Sequence, residues 1–221
     1  MSREAELPAR FADRFAAGRL LAERVARLDP RAPVVLGLPR GGVPIACEIA
    51  ERLGVSAEVF VARKIGAPGF PEYGIAAIAE GLDEVVRSPQ AAALGFDAEE
   101  LALLAEPERR ELDRRVYAYR GDRALPDLRG REVVLADDGL ATGVTAHAAL
   151  RSLRRRNPRR LIFAAPVCSP EALAGLTEPD GPADEVVYLL APDDFQAVGE
   201  WYVDFTQLED ADVLRLLAEA Q

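Results

Sequence analysis

A chain of 221 residues that is 49% hydrophobic but only 6% aromatic can bury a sizeable core, built mostly from aliphatic side chains. Its formal net charge of −10 argues against a dedicated nucleic-acid binder, whose surface needs a basic footprint. It has no signal-peptide pattern and no apolar stretch long enough to cross a bilayer, and Cys47 and Cys168 both lie in apolar surroundings. A cytoplasmic protein with free thiols is therefore expected, with neither nucleic acid nor membrane as partner.

Along the chain, apolar residues at helical spacing from Leu7 to Leu28 predict a first helix, ending at Asp29-Pro30. Pro33 to Leu38 reads as a short buried strand, and Ile45 to Leu53 as a helix closed by Gly54. A second strand is expected from Ser56 to Ile65, then a Gly/Pro-rich loop, then a third strand from Tyr73 to Ala79. Ala98 to Arg120 is a charge-rich helix that Pro107 should break or kink. Val133 to Ala136 is an uninterrupted apolar strand, with a helix from Thr145 to Arg156 behind it and a strand from Arg160 to Val167 next. A short helix near Pro170 to Leu176, a strand from Glu185 to Leu190 and a final helix from Asp210 to Ala220 complete the order. Strands alternating with helices predict an α/β fold with a parallel, doubly wound sheet.

Three segments carry chemistry. The strand at Val133 opens into Asp137-Asp138-Gly139-Leu140-Ala141-Thr142-Gly143-Val144-Thr145. Carboxylates at the carboxyl end of a parallel strand sit where ligands bind in such sheets. Small residues and hydroxyls ahead of a helix start suit a phosphate, and the carboxylates suit sugar hydroxyls. The loop Gly37-Leu38-Pro39-Arg40-Gly41-Gly42-Val43-Pro44 offers a second anion seat, with glycines for close approach and a guanidinium fork. Arg63 and Lys64 put two adjacent cations at a strand end, a placement that suits a nearby anion. Near the C-terminus, Phe195, Trp201, Tyr202 and Phe205 concentrate aromatic faces in a chain otherwise poor in them. That run could hold a flat base or simply pack its segment onto the core. His147, the only histidine, reads as an ordinary helical residue, and with two distant cysteines it makes no zinc site. Glu80-Gly81 has no evident role.

The segment VVLADDGLATGVT resembles the binding signature for 5-phosphoribosyl 1-diphosphate (PRPP) in the type I phosphoribosyltransferases. The resemblance implies that fold, a central mostly parallel sheet flanked by helices with a small C-terminal hood. It also implies a core over 1–190, with a helical insertion near 90–122, and a hood segment with a terminal helix over 191–221. Ala141, Thr142, Gly143, Val144 and Thr145 would hold the 5-phosphate, and Asp137 and Asp138 the ribose hydroxyls and Mg²⁺. Arg40, Gly41 and Gly42, on a loop often built with a non-proline cis peptide, would bind pyrophosphate with Arg63 and Lys64. The catalytic set would be Asp137, Asp138, Arg40 and Lys64.

The C-terminal run loosely resembles the hood of the hypoxanthine-type enzymes, which makes Phe195, Trp201 and Asp204 the acceptor-binding candidates. GLPRGGVP, RKIGAP, DDGLATG and the DF…AVG…WY…DF tail together resemble uncharacterised bacterial predicted phosphoribosyltransferases over nearly the whole chain. Two departures bear on the acceptor. Ala141 stands where the 6-oxopurine enzymes carry an acid, and AAPVCSP lacks the lysine that reads the purine oxygen. The expectation is Mg²⁺-dependent transfer of a 5-phosphoribosyl group between PRPP and a small nitrogenous acceptor, with a homodimer open to it. The alternative is a PRPP- or nucleotide-binding regulator without catalysis.

Overall fold

The computed structural model describes residues 7–178 and 181–220. Five strands pair in the order β2-β1-β6-β7-β8, every pairing parallel. They are β1 (Val34–Gly37), β2 (Ala57–Val59), β6 (Glu132–Ala136), β7 (Arg160–Val167) and β8 (Glu185–Leu190). The central strands are buried on both faces, as their unbroken apolar runs require. Alternate residues feed opposite layers. Val134 and Ala136 pack with α1 (Arg14–Ala26) and α2 (Gly42–Leu53), while Val133 and Leu135 pack with α5 (Val144–Arg154) and α6 (Pro170–Thr177).

The expected strand from Ser56 to Ile65 divides in two. After β2 the chain leaves the main sheet and enters an antiparallel sheet of β3 (Ala62–Ala67), β4 (Phe70–Ala79) and β5 (Val86–Arg87). The cause is a buried ion pair at the divide. Arg120, at the end of α4 (Ala98–Arg120), donates to both carboxylate oxygens of Glu80 and, at 3.2 Å, to the Val59 carbonyl. Glu80 in turn accepts the Val61 N–H at 2.7 Å, and its carbonyl accepts the Ser152 hydroxyl at 2.6 Å. Side chains thus replace the ladder bonds at the point where the chain changes sheets. The Gly/Pro-rich segment is a hairpin turn rather than a loop: Ala67 pairs with Phe70, and Gly69 takes the left-handed φ of 80° that the turn requires.

Other boundaries also move. The first helix begins at Arg14, because Phe11 bridges to Tyr202 and Asp13 accepts the Ala16 N–H at 2.7 Å as a cap. Pro107 does not break α4, whose entry is fixed by reciprocal bonds between Asp97 and Glu100. A short helix, α3 (Pro89–Ala93), precedes it, a 3-10 turn spans Val198–Trp201, and α7 (Asp210–Glu219) ends the described chain. No described helix is long and apolar enough to cross a membrane.

Replacing Glu80 by Gln leaves the Arg120 guanidinium buried opposite a neutral amide. The variant should lose about 3–5 kcal/mol of unfolding free energy in urea titration, the cost of orphaning a buried charge.

Candidate functional site

The strand order reverses between β1 and β6. From β1 the chain crosses through α2 to β2 on one side, and from β6 through α5 to β7 on the other. That divergence opens a crevice at the carboxyl ends of β1 and β6, the place where open α/β sheets bind ligands. The register sets Gly37 beside Ala136, so the Arg40 loop and the Asp137 loop leave the sheet side by side. The Leu38 N–H donates to the Ala136 carbonyl at 2.9 Å, extending the ladder into the loops.

Their approach is closer than any side chain would allow. A Cβ built on Gly41 would lie 1.9 Å from Asp138 Oδ2, and one on Gly42 would lie 2.5 Å from the Ala136 oxygen. Gly139 is equally tight, with Val198 Cγ1 2.4 Å from its would-be Cβ. Pro39-Arg40 is a non-proline cis peptide. The two helices that begin here have glycine caps without a side-chain acceptor: Gly41 ahead of α2 and Gly143, at φ 74°, ahead of α5. Elsewhere Asp13, Asp97 and Ser169 cap their helices, and Asp212 accepts the Glu209 N–H at the start of α7. The two helix starts meet at one crevice, and they differ: α5 presents first-turn N–H groups and a dipole end suited to an anion, whereas at α2 the Gly42 and Val43 N–H groups donate to the Leu38 and Arg40 carbonyls and Pro44 has none.

The acids lie between them. Asp137 accepts the Asp138 N–H at 2.9 Å. Asp138 Oδ2 accepts Arg14 Nε at 2.8 Å. Burial, then the neighbouring Asp138 charge, pushes the Asp137 carboxyl up from the usual range. Burial raises Asp138 too, and the Arg14 guanidinium opposes the rise. Arg14 is locked in turn, stacked 3.8 Å over the Phe205 ring and donating to the Thr206 carbonyl at 3.0 Å. The Tyr202 hydroxyl donates to the Asp138 carbonyl at 2.6 Å, its ring set between Phe11 and Phe205 at centroid distances of 5.5 and 5.0 Å. Tyr202, Phe205 and Arg14 thus brace the acid pair from the hood and the N-terminal segment.

The sequence profile of the family described as "Phosphoribosyl transferase domain" matches residues 12–205. The chain belongs to this phosphoribosyl transferase family. Relatives from the Mycobacterium tuberculosis strains CDC 1551 and H37Rv, provisionally named as phosphoribosyl transferases, are 43% identical over 215 residues, which is 95% of this chain. The chain spans about half the length of these relatives, 47%. The crystal structure of TT1426 from Thermus thermophilus shares 47% identity and a TM-score of 0.78, over 96% of this chain and 99% of that one. A hypothetical protein of Neisseria gonorrhoeae, solved with bound ppGpp, shares the fold at 14% identity and a TM-score of 0.51, over 97% of this chain and 100% of that one.

In this phosphoribosyl transferase chain the crevice gathers Asp137, Asp138, Arg40, Gly41 and Gly42 with the loop from Ala141 to Thr145. Arg40 leans toward α7, 3.6 Å from Glu209 and 3.8 Å from Asp210. Lys64 runs across Gly74 near Val144, at the start of α5: a Cβ on Gly74 would lie 2.9 Å from Lys64 Cδ and 3.4 Å from Val144 Cγ1. Arg63 does not join them. Both cations lie within β3 rather than at a strand end, so they face opposite sides, and Arg63 pairs with Glu108 of α4. Phe195 and Trp201 are partly buried against the core under α1. Asp204 is exposed and turned to its own loop, accepting the Thr206 N–H at 2.9 Å and its hydroxyl at 2.6 Å. Nothing in the local spacing marks Arg14, since its partners lie 124 and 192 positions away.

Gly41→Ala drives its Cβ against the Asp138 carboxylate and should cost about 1–3 kcal/mol of unfolding free energy in urea titration, the scale of an overpacked site. Asp137→Asn should melt higher than the parent at pH 7. A carboxyl whose folded pKa is raised loses stability as pH climbs through that value, and the amide removes the loss. The two proteins should converge below about pH 4, where the carboxyl is neutral in both states.

Proposed function

We propose that the chain transfers a 5-phosphoribosyl group between PRPP and a small nitrogenous acceptor, a nucleobase being the class that fits, with release of pyrophosphate. The observation that carries this reading is that the open start of α5 at Gly143 and the tight glycine loop ahead of α2 meet at one pair of neighbouring carboxylates. The start of α5, at Gly143, takes the 5-phosphate with Ala141, Thr142, Val144 and Thr145; the loop, at Gly41 and Gly42, takes the pyrophosphate with Arg40. Asp137 and Asp138, between them, hold the ribose hydroxyls.

The acid pair also fits Mg²⁺. It offers hard oxygen donors whose ionised forms are disfavoured by burial, a penalty that a bound cation would offset. Mg²⁺ would neutralise charge on the leaving pyrophosphate. The chain's own contribution is positioning and charge stabilisation. Asp138, held by Arg14 and by the Tyr202 bond to its carbonyl, fixes the sugar. Lys64, which lies over Gly74 near Val144, is proposed as the cation nearest the leaving group.

The acceptor would enter beneath the hood, where Phe195 and Trp201 supply flat faces. Asp204 forms its own turn, so a base edge would be read by other groups. The second reading, a regulator that binds PRPP without turnover, is favoured by Ala141. Its side chain can accept no proton, and its carbonyl is taken by the Ser169 hydroxyl at 2.6 Å.

Pyrophosphate release measured with PRPP, Mg²⁺ and a panel of nucleobases separates the two, because a regulator binds PRPP and releases nothing. The Asp137→Asn, Asp138→Asn double variant should lose Mg²⁺-dependent PRPP binding by at least about 100-fold while remaining folded. An unchanged affinity rejects the assignment.

A further inference from the structure

Arg40 supplies the guanidinium of the loop ahead of α2, yet among the described residues it makes no ion pair with Asp137 or Asp138. Its partners are Glu209 and Asp210 at the start of α7, 3.6 and 3.8 Å from Nη1. Those distances lie outside hydrogen-bonding reach, so attraction sets the direction of the side chain without locking its atoms.

The two acids are not equivalent. The Glu209 side chain is 74% exposed, whereas that of Asp210 is 31% exposed and anchored at both oxygens. Its Oδ1 accepts the Tyr119 hydroxyl, and its Oδ2 accepts Arg114 Nη2 at 2.9 Å. Arg114 is held in turn by Glu111 at 2.7 Å. Tyr119, Arg114 and Glu111 all belong to α4. Behind Asp210, Val213, Leu216 and Leu217 of α7 are buried in one cluster with Tyr119 and with Val43 of α2. The Tyr119 bond, more than the Arg114 one, holds the Asp210 carboxyl below its usual range, which keeps it ionised at neutral pH. A fixed negative charge thus faces a movable positive one, and α4 sets where that negative charge stands.

We propose that Asp210 is a positioning residue: with Glu209 it parks Arg40 against α7 while the crevice is empty, and the pyrophosphate group of PRPP draws the guanidinium away. This inference rests on the reading of the Arg40 loop as the pyrophosphate seat. Phosphate oxygens can meet the guanidinium fork at hydrogen-bonding distance, which the carboxylates of α7 do not. The backbone has little distance to cover, because Gly41, the next residue, already abuts Asp138, whose Oδ2 lies 1.9 Å from its would-be Cβ. One ion pair breaks as another forms, so the exchange lowers affinity for the ligand and eases the departure of pyrophosphate.

Calorimetric titration of the full chain with PRPP and Mg²⁺ tests this. Asp210→Asn keeps an acceptor for the Tyr119 hydroxyl and removes the charge. It should bind PRPP about three- to fivefold more tightly than the parent, the upper range for a partly exposed ion pair. Glu209→Gln, at an exposed position, should gain about twofold and decides the matter if Asp210→Asn does not fold. Arg40→Gln should bind about tenfold more weakly, the scale of a lost charged hydrogen bond, and adding Asp210→Asn to it should change nothing further. A purely structural Asp210 would lower the melting temperature without tightening PRPP. Unchanged or weaker binding in the Asp210 and Glu209 variants overturns the proposal. So does a gain that survives in the Arg40→Gln background, since that is long-range repulsion of an anion rather than release of Arg40. PRPP binding to parent and variants alike leaves the phosphoribosyl reading standing and rejects only the parking of Arg40. No PRPP binding to the parent rejects that reading, and this inference with it.

Discussion

Everything at the crevice depends on the parallel pairing of β1 with β6. Two buried strands in register, Gly37 beside Ala136, release their chains at the same height and send them to opposite faces of the sheet. The loops that follow cannot avoid each other, and the glycines are the solution to that crowding. Gly41 and Gly42 remove the side chains that would otherwise strike Asp138 and the β6 carbonyl. The helices behind those loops then start at one crevice, and α5 aims its open end into it. Backbone geometry thus sets the shape of the crevice before any charged side chain is considered.

The charged groups answer a different problem. Two neighbouring carboxylates in a crowded crevice repel each other and lose solvation, and both are pushed toward the neutral form. Arg14 offsets part of that cost at Asp138, with Phe205 and Thr206 fixing where the guanidinium lies. A comparable buried charge pair, Glu80 with Arg120, does the opposite kind of work: both carboxylate oxygens are bonded within the fold, and the pair serves to turn the chain from one sheet into the next.

Much of this is legible in the sequence because it is written in short stretches. Buried parallel strands are unbroken apolar runs, and the Gly-rich loops and the Asp pair are contiguous. Helices such as α2, α4 and α5 follow from their periodicity. What cannot be read depends on partners far away in the chain. The strand expected from Ser56 to Ile65 is one continuous apolar pattern, and only Glu80 and Arg120, remote in sequence, divide it. Arg63 and Lys64 read as a cationic pair at a strand end. Inside an antiparallel strand the pleat sends them apart, and Arg63 turns to Glu108. Asp204 reads as a group that contacts the acceptor but closes its own turn, while Tyr202, one more ring in an aromatic run, reaches the Asp138 carbonyl.

The clasp between the N-terminal segment and the hood has a consequence for biosynthesis. Phe11 bonds to the Trp201 carbonyl and to Val203, Ala12 accepts the Asp204 N–H, and Arg10 reaches the Tyr202 carbonyl. Residues of the N-terminal segment are therefore held by residues made nearly two hundred positions later. Until the hood emerges, Arg14 has no ring to stack on, and Asp138 faces the crevice with its main restraint unsecured. The parallel sheet can assemble strand by strand as the chain appears, but the crevice stays unbraced until Tyr202, Phe205 and Thr206 are delivered.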